Sequence, residues 1–219
     1  INTEKDPYYF FLMGETYRFP RDYQKAVKWY RTTLRRFPCS SYGYIGIGYV
    51  LTGIGENTSA VCMFQKAIET EPQEAMGYTG MGWALIGLRD YEQARDYFNQ
   101  GKALDPQDAS NFNGIGMTYV KEKKDDKAAR WFTQAIDKQG DMYTCPYEGL
   151  GIIHLRQGEF QKAEENFLKA VQLNPDKDTD KYTGLARIYL RKDLPQKAYA
   201  YLQKAHEINP DDKEVNELL

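Results

Sequence analysis

The chain has 219 residues, of which 42% are hydrophobic, 14% are aromatic and 27% are charged, and its formal net charge is −2. The aromatic content excludes an intrinsically disordered chain, because disordered chains lack the apolar side chains that build a core. A near-neutral charge argues against a nucleic-acid-binding domain, which presents an excess of lysine and arginine. Its apolar runs are only a few residues long, so the sequence predicts no membrane span.

The strongest pattern in the sequence is a repeat of 34 residues. Glycines keep this interval from Gly14 to Gly116 and alanines keep it from Ala26 to Ala128, and two further copies follow at a step of 35. A period of this size is typical of an array of helical units. Because such units stack on their neighbours, we predict one domain over residues 1–219. The predicted repeats are 7–40, 41–74, 75–108, 109–143, 144–178 and 179–212, and a partial C-terminal helix follows at 213–219.

The second half of the first repeat is basic. Residues 1–40 contain 8 basic and 4 acidic side chains, and most of the basic ones fall on a single predicted helix. Either this helix presents a solvated outer face or it forms a patch that docks a partner. The basic residues are Lys25, Lys28, Arg31, Arg35 and Arg36.

The third repeat is the clearest example of the unit. Residues 78, 81, 82 and 85 follow the i, i+3, i+4, i+7 spacing of one helix face. A break is predicted at residues 88–90, and a second helix then carries Tyr91, Ala94 and Phe98. Pro106 is predicted to end this helix, because proline lacks the backbone N–H group. The unit is therefore two antiparallel helices.

The repeats depart from a common pattern at a few positions. Gly101 replaces the second alanine in the third repeat. The fourth repeat ends at residues 139–141 without its proline and is one residue longer, and Leu202 replaces the aromatic residue in the sixth. The common order is aromatic, leucine-like, glycine, tyrosine-like, alanine, aromatic, alanine and proline. One copy reads Tyr147, Leu150, Gly151, His154, Ala163, Phe167, Ala170 and Pro175.

This order of residues resembles the tetratricopeptide repeat, and the resemblance covers residues 7–212. It implies an all-α, right-handed α-solenoid of six helix-turn-helix repeats, in which the first helices line a concave groove. It also implies a protein or peptide partner. The resemblance leaves the partner's identity open, since a fold does not define a function.

The resemblance implies which side chains face the groove. They follow the repeating glycine directly or lie seven residues before that position. Along the middle of the groove these two columns predict an apolar stripe, and exposed aromatic and methionine side chains commonly mark protein contacts. The alternative is that they pack on the neighbouring first helix. The stripe is Tyr42, Tyr49, Met76, Trp83, Met117 and Ile152.

A second kind of groove in this family grips a C-terminal carboxylate with pairs of lysine and asparagine. The corresponding places in the first three repeats hold other residues, among them Phe11, Glu15 and Gly46, and the later repeats offer only Asn113. We therefore predict an apolar or amphipathic peptide segment as the ligand. Asn113 completes the candidate peptide-binding set.

A further column of glycines lies two residues before the repeating small residue. Interior helical glycines are unfavourable by roughly 0.5–1 kcal/mol each relative to alanine, so five in one column need a reason. They could form a floor without side chains, which lets a ligand approach, or allow adjacent helices to pack closely. The column is Gly46, Gly80, Gly114, Gly149 and Gly184.

No constellation in the sequence points to catalysis, a cofactor or a metal. The two histidines, His154 and His206, fall in different repeats and lack cysteine or serine partners at a usable spacing. We predict that His154 packs between helices. The chain is therefore expected to be no enzyme and to need no cofactor.

Three cysteines, Cys39, Cys62 and Cys145, are odd in number and lie in different repeats. This favours a reducing, cytoplasmic location over a disulfide framework. The glycosylation-like triplet at residues 57–59 and the start at Ile1 without methionine leave a periplasmic or secreted location open. The start also leads us to expect a piece of a longer protein.

The sequence thus predicts a protein–protein interaction module that binds a peptide segment in its groove, with no nucleic acid and no membrane span. Two alternatives stay open: a scaffold that self-assembles into a homo-oligomer, and a regulatory repeat domain of a larger enzyme. An envelope assembly factor in bacteria is a further alternative.

Overall fold

A computed structural model describes residues 6–139, 144–175 and 179–219, and within these ranges all regular secondary structure is α-helical. The chain divides into two compact units, Ile1–Thr118 and Tyr119–Leu219. The all-α repeat fold predicted from the sequence is confirmed. The single domain over residues 1–219 stays a prediction. The ends of the fourth and fifth predicted repeats, including residues 140–141, lie outside the described residues.

The first unit consists of three helical hairpins and most of a seventh helix. Each hairpin pairs a first helix with the second helix that follows it, and each second helix also packs on the next first helix. The helices are α1 (Pro7–Arg18), α2 (Tyr23–Arg36), α3 (Tyr42–Gly53), α4 (Asn57–Thr70), α5 (Ala75–Gly87), α6 (Tyr91–Leu104) and α7 (Ala109–Lys121).

The second unit continues with hairpins of the same kind and ends in a short helix. Val215 of that last helix is buried against Tyr182 and Ala205, so the helix covers the end of the preceding hairpin. The helices are α8 (Asp125–Gln139), α9 (Thr144–Gln157), α10 (Phe160–Leu173), α11 (Asp180–Arg191), α12 (Pro195–Ile208) and α13 (Lys213–Leu218).

Local signals account for the helix boundaries. α5 ends at Gly87 and α6 begins at Tyr91, as the predicted break requires, and α6 stops before Pro106. The Asp90 side chain accepts a hydrogen bond from the backbone N–H of Gln93 and so caps α6. Asp22 caps α2 in the same way.

The turn inside each hairpin contains one residue with a left-handed backbone. Their φ angles lie between 57° and 85°, and only two of the six are glycine. The other four adopt a conformation that side chains disfavour, so the packing of the two helices must hold it in place. These residues are Arg21, Gly55, Arg89, Lys123, Gly158 and Asp193.

Aromatic rings of the second helices form the centre of the core. Phe64, Phe98 and Phe167 have no exposed surface. A Cβ atom added at Gly80 would overlap the Phe64 ring, and one added at Gly184 would overlap the Phe167 ring. Each ring thus lies on the glycine of the next first helix. The glycine column therefore serves close packing against these rings, and a ring fills the space that an open ligand floor would need.

The repeating alanines lie in the core, each as the fourth residue of its second helix. Ala26, Ala60, Ala94, Ala128 and Ala163 have no exposed surface. A larger side chain at these positions would separate the helices, which explains why the same small residue recurs.

The cysteines lie within the described ranges and form no disulfide: Cys39 and Cys62 are exposed and Cys145 is partly exposed. We expect dithiothreitol to leave the melting temperature unchanged, because no bridge constrains the unfolded chain. Thermal unfolding followed by circular dichroism, with and without reductant, tests this. A clear fall in the melting temperature with reductant would contradict both this expectation and the cytoplasmic location, which stays a prediction.

Over the three described ranges, no helix has the length and hydropathy needed to cross a membrane.

Candidate functional site

The two predicted groove columns lie on the accessible side of the first helices. Every member is partly or fully exposed, and many of the intervening positions are buried. One column is Glu15, Tyr49, Trp83, Met117, Ile152 and Arg187, and the other is Tyr8, Tyr42, Met76, Ser110, Cys145 and Asp180. Five members of the predicted apolar stripe lie in the first unit, and we call them the first-unit stripe: Tyr42, Tyr49, Met76, Trp83 and Met117.

Tyr42 and Tyr49 are fixed by neighbours on both sides. The Tyr42 ring lies 5.2 Å from the Tyr8 ring, and its hydroxyl donates a hydrogen bond of 2.9 Å to the Glu74 carboxylate. The Tyr49 ring stands edge-on to Phe64 at 5.3 Å, and its hydroxyl donates to the Met76 carbonyl at 3.4 Å. These contacts hold both rings in one orientation while part of each stays exposed.

Burial is the main cause that raises the pKa of both tyrosines above the ordinary value. The Glu74 carboxylate, which accepts the hydrogen bond from Tyr42, raises the pKa of Tyr42 further. Both hydroxyls therefore stay protonated at neutral pH, where they donate to Glu74 and to the Met76 carbonyl and add no charge to the surface.

A charged group borders the stripe at Tyr49. The Arg18 guanidinium lies 5.1 Å from the centre of the Tyr49 ring and 4.5 Å from that of the Phe19 ring. Glu15 accepts a 2.7 Å hydrogen bond from Arg18 Nε and a 2.6 Å hydrogen bond from the Tyr30 hydroxyl. The acid and the guanidinium compensate each other, so the apolar rings set the character of this surface.

Trp83 continues the stripe by one repeat. Its ring stands edge-on to the buried Phe98 ring with 5.5 Å between centroids, the arrangement that Tyr49 and Phe64 show. Met76 and Met117 are partly exposed on the same columns. The repeat therefore places two aromatic rings in equivalent positions, each fixed by a core phenylalanine.

Asn113 is placed differently from the rest of the candidate set. It is 2% exposed, and its Oδ1 atom is buried without a hydrogen-bond partner among the described residues. Its role in binding stays a prediction.

Ile152 belongs to the second unit. It packs against a core cluster that includes Phe167 and Leu185, and it lines a groove of about 910 Å³. The seven predicted residues thus divide between the units, six in the first and one in the second.

Buried polar contacts between successive first helices were not predicted. Thr79 donates a 2.9 Å hydrogen bond to Asn111 Oδ1 in the first unit. In the second unit the Lys181 ammonium, with no exposed side-chain surface, lies 3.9 Å from the Glu148 carboxylate. Thr79 and Glu148 occupy the same repeat position, and so do Asn111 and Lys181, so comparison of columns could have found both contacts.

The described residues give no support for a metal centre. No group of three or more histidine, cysteine, aspartate or glutamate side chains among them could hold an ion. The prediction for His154 was wrong in part: its side chain is 23% exposed, and its Nδ1 lies 2.8 Å from the Glu159 carboxylate at the start of the second helix.

Comparison of the chain with known families agrees with this architecture. Models described as "Tetratricopeptide repeat" match residues 45–109, 79–142, 147–177 and 182–212, and a "Sel1 repeat" model matches residues 9–32. No curated protein sequence is significantly similar to the chain.

Three solved structures illustrate the structural likeness. A chain of the APC/C hetero-tetramer Cut9–Hcn1 superposes with a TM-score of 0.79 at 18% identity over 99% of this chain and 42% of that chain. PilW, a widely conserved type IV pilus biogenesis factor, gives 0.70 at 18% identity over 97% of each chain. YrrB, a TPR protein with an unusual peptide-binding site, gives 0.50 at 21% identity over 86% of this chain and 96% of YrrB.

Fold and sequence together define an all-α helical-repeat protein, a class that presents extended surfaces to partners. The chain belongs to the tetratricopeptide repeat family. This membership supports a protein-interaction scaffold. The chain spans less than half of the Cut9–Hcn1 chain that it matches.

Proposed function

We propose that the chain binds a peptide segment of a partner protein on the first-unit stripe. The observation that carries this proposal is the equivalent placement of Tyr49 and Trp83. Each ring is held edge-on by a buried phenylalanine, 5.3 Å and 5.5 Å away, and each keeps part of its surface exposed. Rings that are already ordered lose little conformational entropy when a ligand binds, so they are efficient anchors.

The chemistry of the stripe supports an apolar or amphipathic ligand. Tyrosine and tryptophan are common anchors of interfaces, and methionine adapts to ligands of different shape. The tyrosine hydroxyls are occupied by Glu74 and by the Met76 carbonyl, so the exposed surface that remains is largely apolar. A peptide with apolar side chains at intervals fits this surface. That YrrB has a peptide-binding site agrees with the same kind of function in this chain.

Replacing Trp83 with alanine is expected to weaken binding of a selected peptide by about thirtyfold, because aromatic anchors commonly contribute 2 kcal/mol or more. The peptide is obtained by selection from a random library against the whole chain. Its affinity for the native chain and for Trp83→Ala is then measured by fluorescence anisotropy. The double change of Tyr49 and Trp83 to alanine is expected to abolish measurable binding.

Tyr78→Ala is the matched control, because Tyr78 is a partly exposed aromatic residue of the same helix that lies beside Tyr97 instead. Its affinity should stay within about twofold of the native value. Binding that survives the double change, or that falls equally in the control, would refute the proposal. So would loss of binding only when Lys28, Arg31 and Arg35 are neutralised, because the basic face of α2 would then be the contact.

Self-assembly on the same surface is a measurable alternative. Sedimentation velocity of the native chain and of the Tyr49 and Trp83 double variant distinguishes it. A concentration-dependent oligomer that the double change dissociates would assign the stripe to a homo-oligomer instead of a peptide.

A further inference from the structure

The second unit contains a groove of about 910 Å³, lined by α9, α10, α11 and α13 and by the end of α7. Its floor is apolar and includes Ile152, Leu155, Phe160 and Leu190. Leu190 is 44% exposed, so this apolar side chain of the lining is accessible to a ligand. The groove can therefore bury apolar groups of a ligand.

Cations border this floor at one repeated position. Lys121, Arg156 and Arg191 are 35 residues apart, and each stands at or next to the end of a first helix and lines the groove. The equivalent positions in the first unit include Gly53 and Gly87. The second unit as a whole carries 17 basic and 18 acidic side chains. The unit has no excess of positive charge, so the positive border results from the position of these three cations beside the groove.

Two of these cations have no acidic partner among the residues that the structure describes. Arg156 Nε donates a 3.0 Å hydrogen bond to Asp125. Lys121 and Arg191 are exposed, and neither forms an ion pair with any described residue. The dipole of a helix favours a cation near its C-terminus. That effect does not determine which way the side chain faces, and all three line the groove.

One helix of the chain itself already makes the kind of contact that we expect of a ligand in this groove. Glu214 of α13 lies 2.9 Å from Arg187, and Leu218 packs against the cluster that includes Phe167 and Leu185. Residues four apart lie on the same helix face. α13 therefore presents an acid and an apolar residue to one end of the groove at the same time.

We propose that the rest of this groove binds an acidic amphipathic segment of a partner protein. Its apolar side chains would cover Ile152 and Leu155, and its carboxylates would meet Lys121 and Arg191. The site uses no residue of the first-unit stripe, so it goes beyond the function proposed above, and each proposal can fail without the other. Trp83→Ala is expected to leave this binding unchanged.

The test uses the whole chain and a fluorescein-labelled synthetic helical peptide with leucines on one face and glutamates beside them. Anisotropy titration should show that the double variant K121Q/R191Q binds about tenfold more weakly than the native chain, as expected for two partly screened ion pairs. Higher salt should weaken native binding in the same direction. The control K123Q/R130Q removes the same charge from exposed positions outside the groove and should change the affinity by about twofold at most.

Five outcomes would overturn the proposal. Equal weakening in the control would indicate unspecific attraction, and equal binding of a peptide with glutamine in place of glutamate would remove the role of charge. Tighter binding of single-stranded DNA would assign the border to a nucleic acid. A homo-oligomer that K121Q/R191Q dissociates would assign the groove to a second copy of the chain. If K121Q/R191Q had a lower melting temperature but the native affinity for the peptide, the two cations would only stabilise the ends of their helices.

Discussion

Replacing Phe98 with alanine is expected to destabilise the first unit by about 3–5 kcal/mol, the range for deleting a fully buried aromatic ring. Phe98 has no exposed surface and lies between two first helices. A Cβ atom added at Gly82 would be 2.6 Å from its ring, and one added at Gly114 would overlap it. Because glycines line both sides of the ring, neither of these two positions has a side chain that could move in to fill the cavity. The loss should therefore lie near the upper end of the range.

Urea unfolding followed by circular dichroism measures this effect. Tyr97→Ala is the matched control, since it removes an adjacent but partly exposed ring from the same helix. The repeats can unfold separately, so the transition of each variant is compared by midpoint and by slope. If Phe98→Ala lost no more stability than Tyr97→Ala, the packing described for this ring would be refuted. The change should also weaken peptide binding, because Trp83 rests on Phe98.

Replacing Gly80 with alanine is expected to destabilise the first unit by about 1–3 kcal/mol, the usual effect of overpacking a core. Alanine is normally favoured over glycine inside a helix by roughly 0.5–1 kcal/mol. The sign reverses here because the added Cβ would overlap three carbons of the Phe64 ring, which is itself fully buried. The ring must move, and the core around it is full.

Gly77→Ala provides the comparison within the same helix. Its Cβ atom would lie 3.2 Å from Ile68 Cγ1 and 3.7 Å from the Ala67 side chain, so a shift of a few tenths of an ångström accommodates it. We expect Gly77→Ala to be neutral or slightly stabilising. Equal melting temperatures for the two variants would show that the ring does not lie on Gly80. A Phe64→Leu background should reduce the loss at Gly80, because the smaller side chain leaves room for the methyl group.

Much of the fold could be predicted from the sequence because the same local signals recur. In each repeat the helical spacing of apolar residues is interrupted twice, once between the two helices and once after the second. The break at residues 88–90 and the stop before Pro106 are these two interruptions in the third repeat. The accessible face was predictable for the same reason, since a fixed column lies on a fixed side of every first helix. Trp83 and Met117 could be placed there from their column alone.

Other features were harder to predict, because they depend on side chains whose burial or backbone conformation is unusual for their residue type. Lysine is almost never fully buried without a partner, so a search for apolar positions could not mark Lys181 as a core residue, and only a comparison of columns could indicate its contact with Glu148. Glycine at positions 55 and 158 indicates a left-handed turn, but arginine at the equivalent positions 21 and 89 does not. The cations at 121, 156 and 191 were visible as a column, but a search for apolar columns alone overlooks them.

The placement of each ring gives the array a direction. A ring on a second helix lies on the glycine of its own first helix and on that of the next, as Phe64 does with Gly48 and Gly80. A chain cut after a second helix would leave one face of such a ring bare, whereas a chain begun at a first helix would have only glycine at the place where the missing ring had lain. The two ways of shortening the protein are therefore not equivalent. Trimming from the carboxyl end exposes an aromatic face that can associate with other apolar surfaces, whereas trimming from the amino end exposes no such ring.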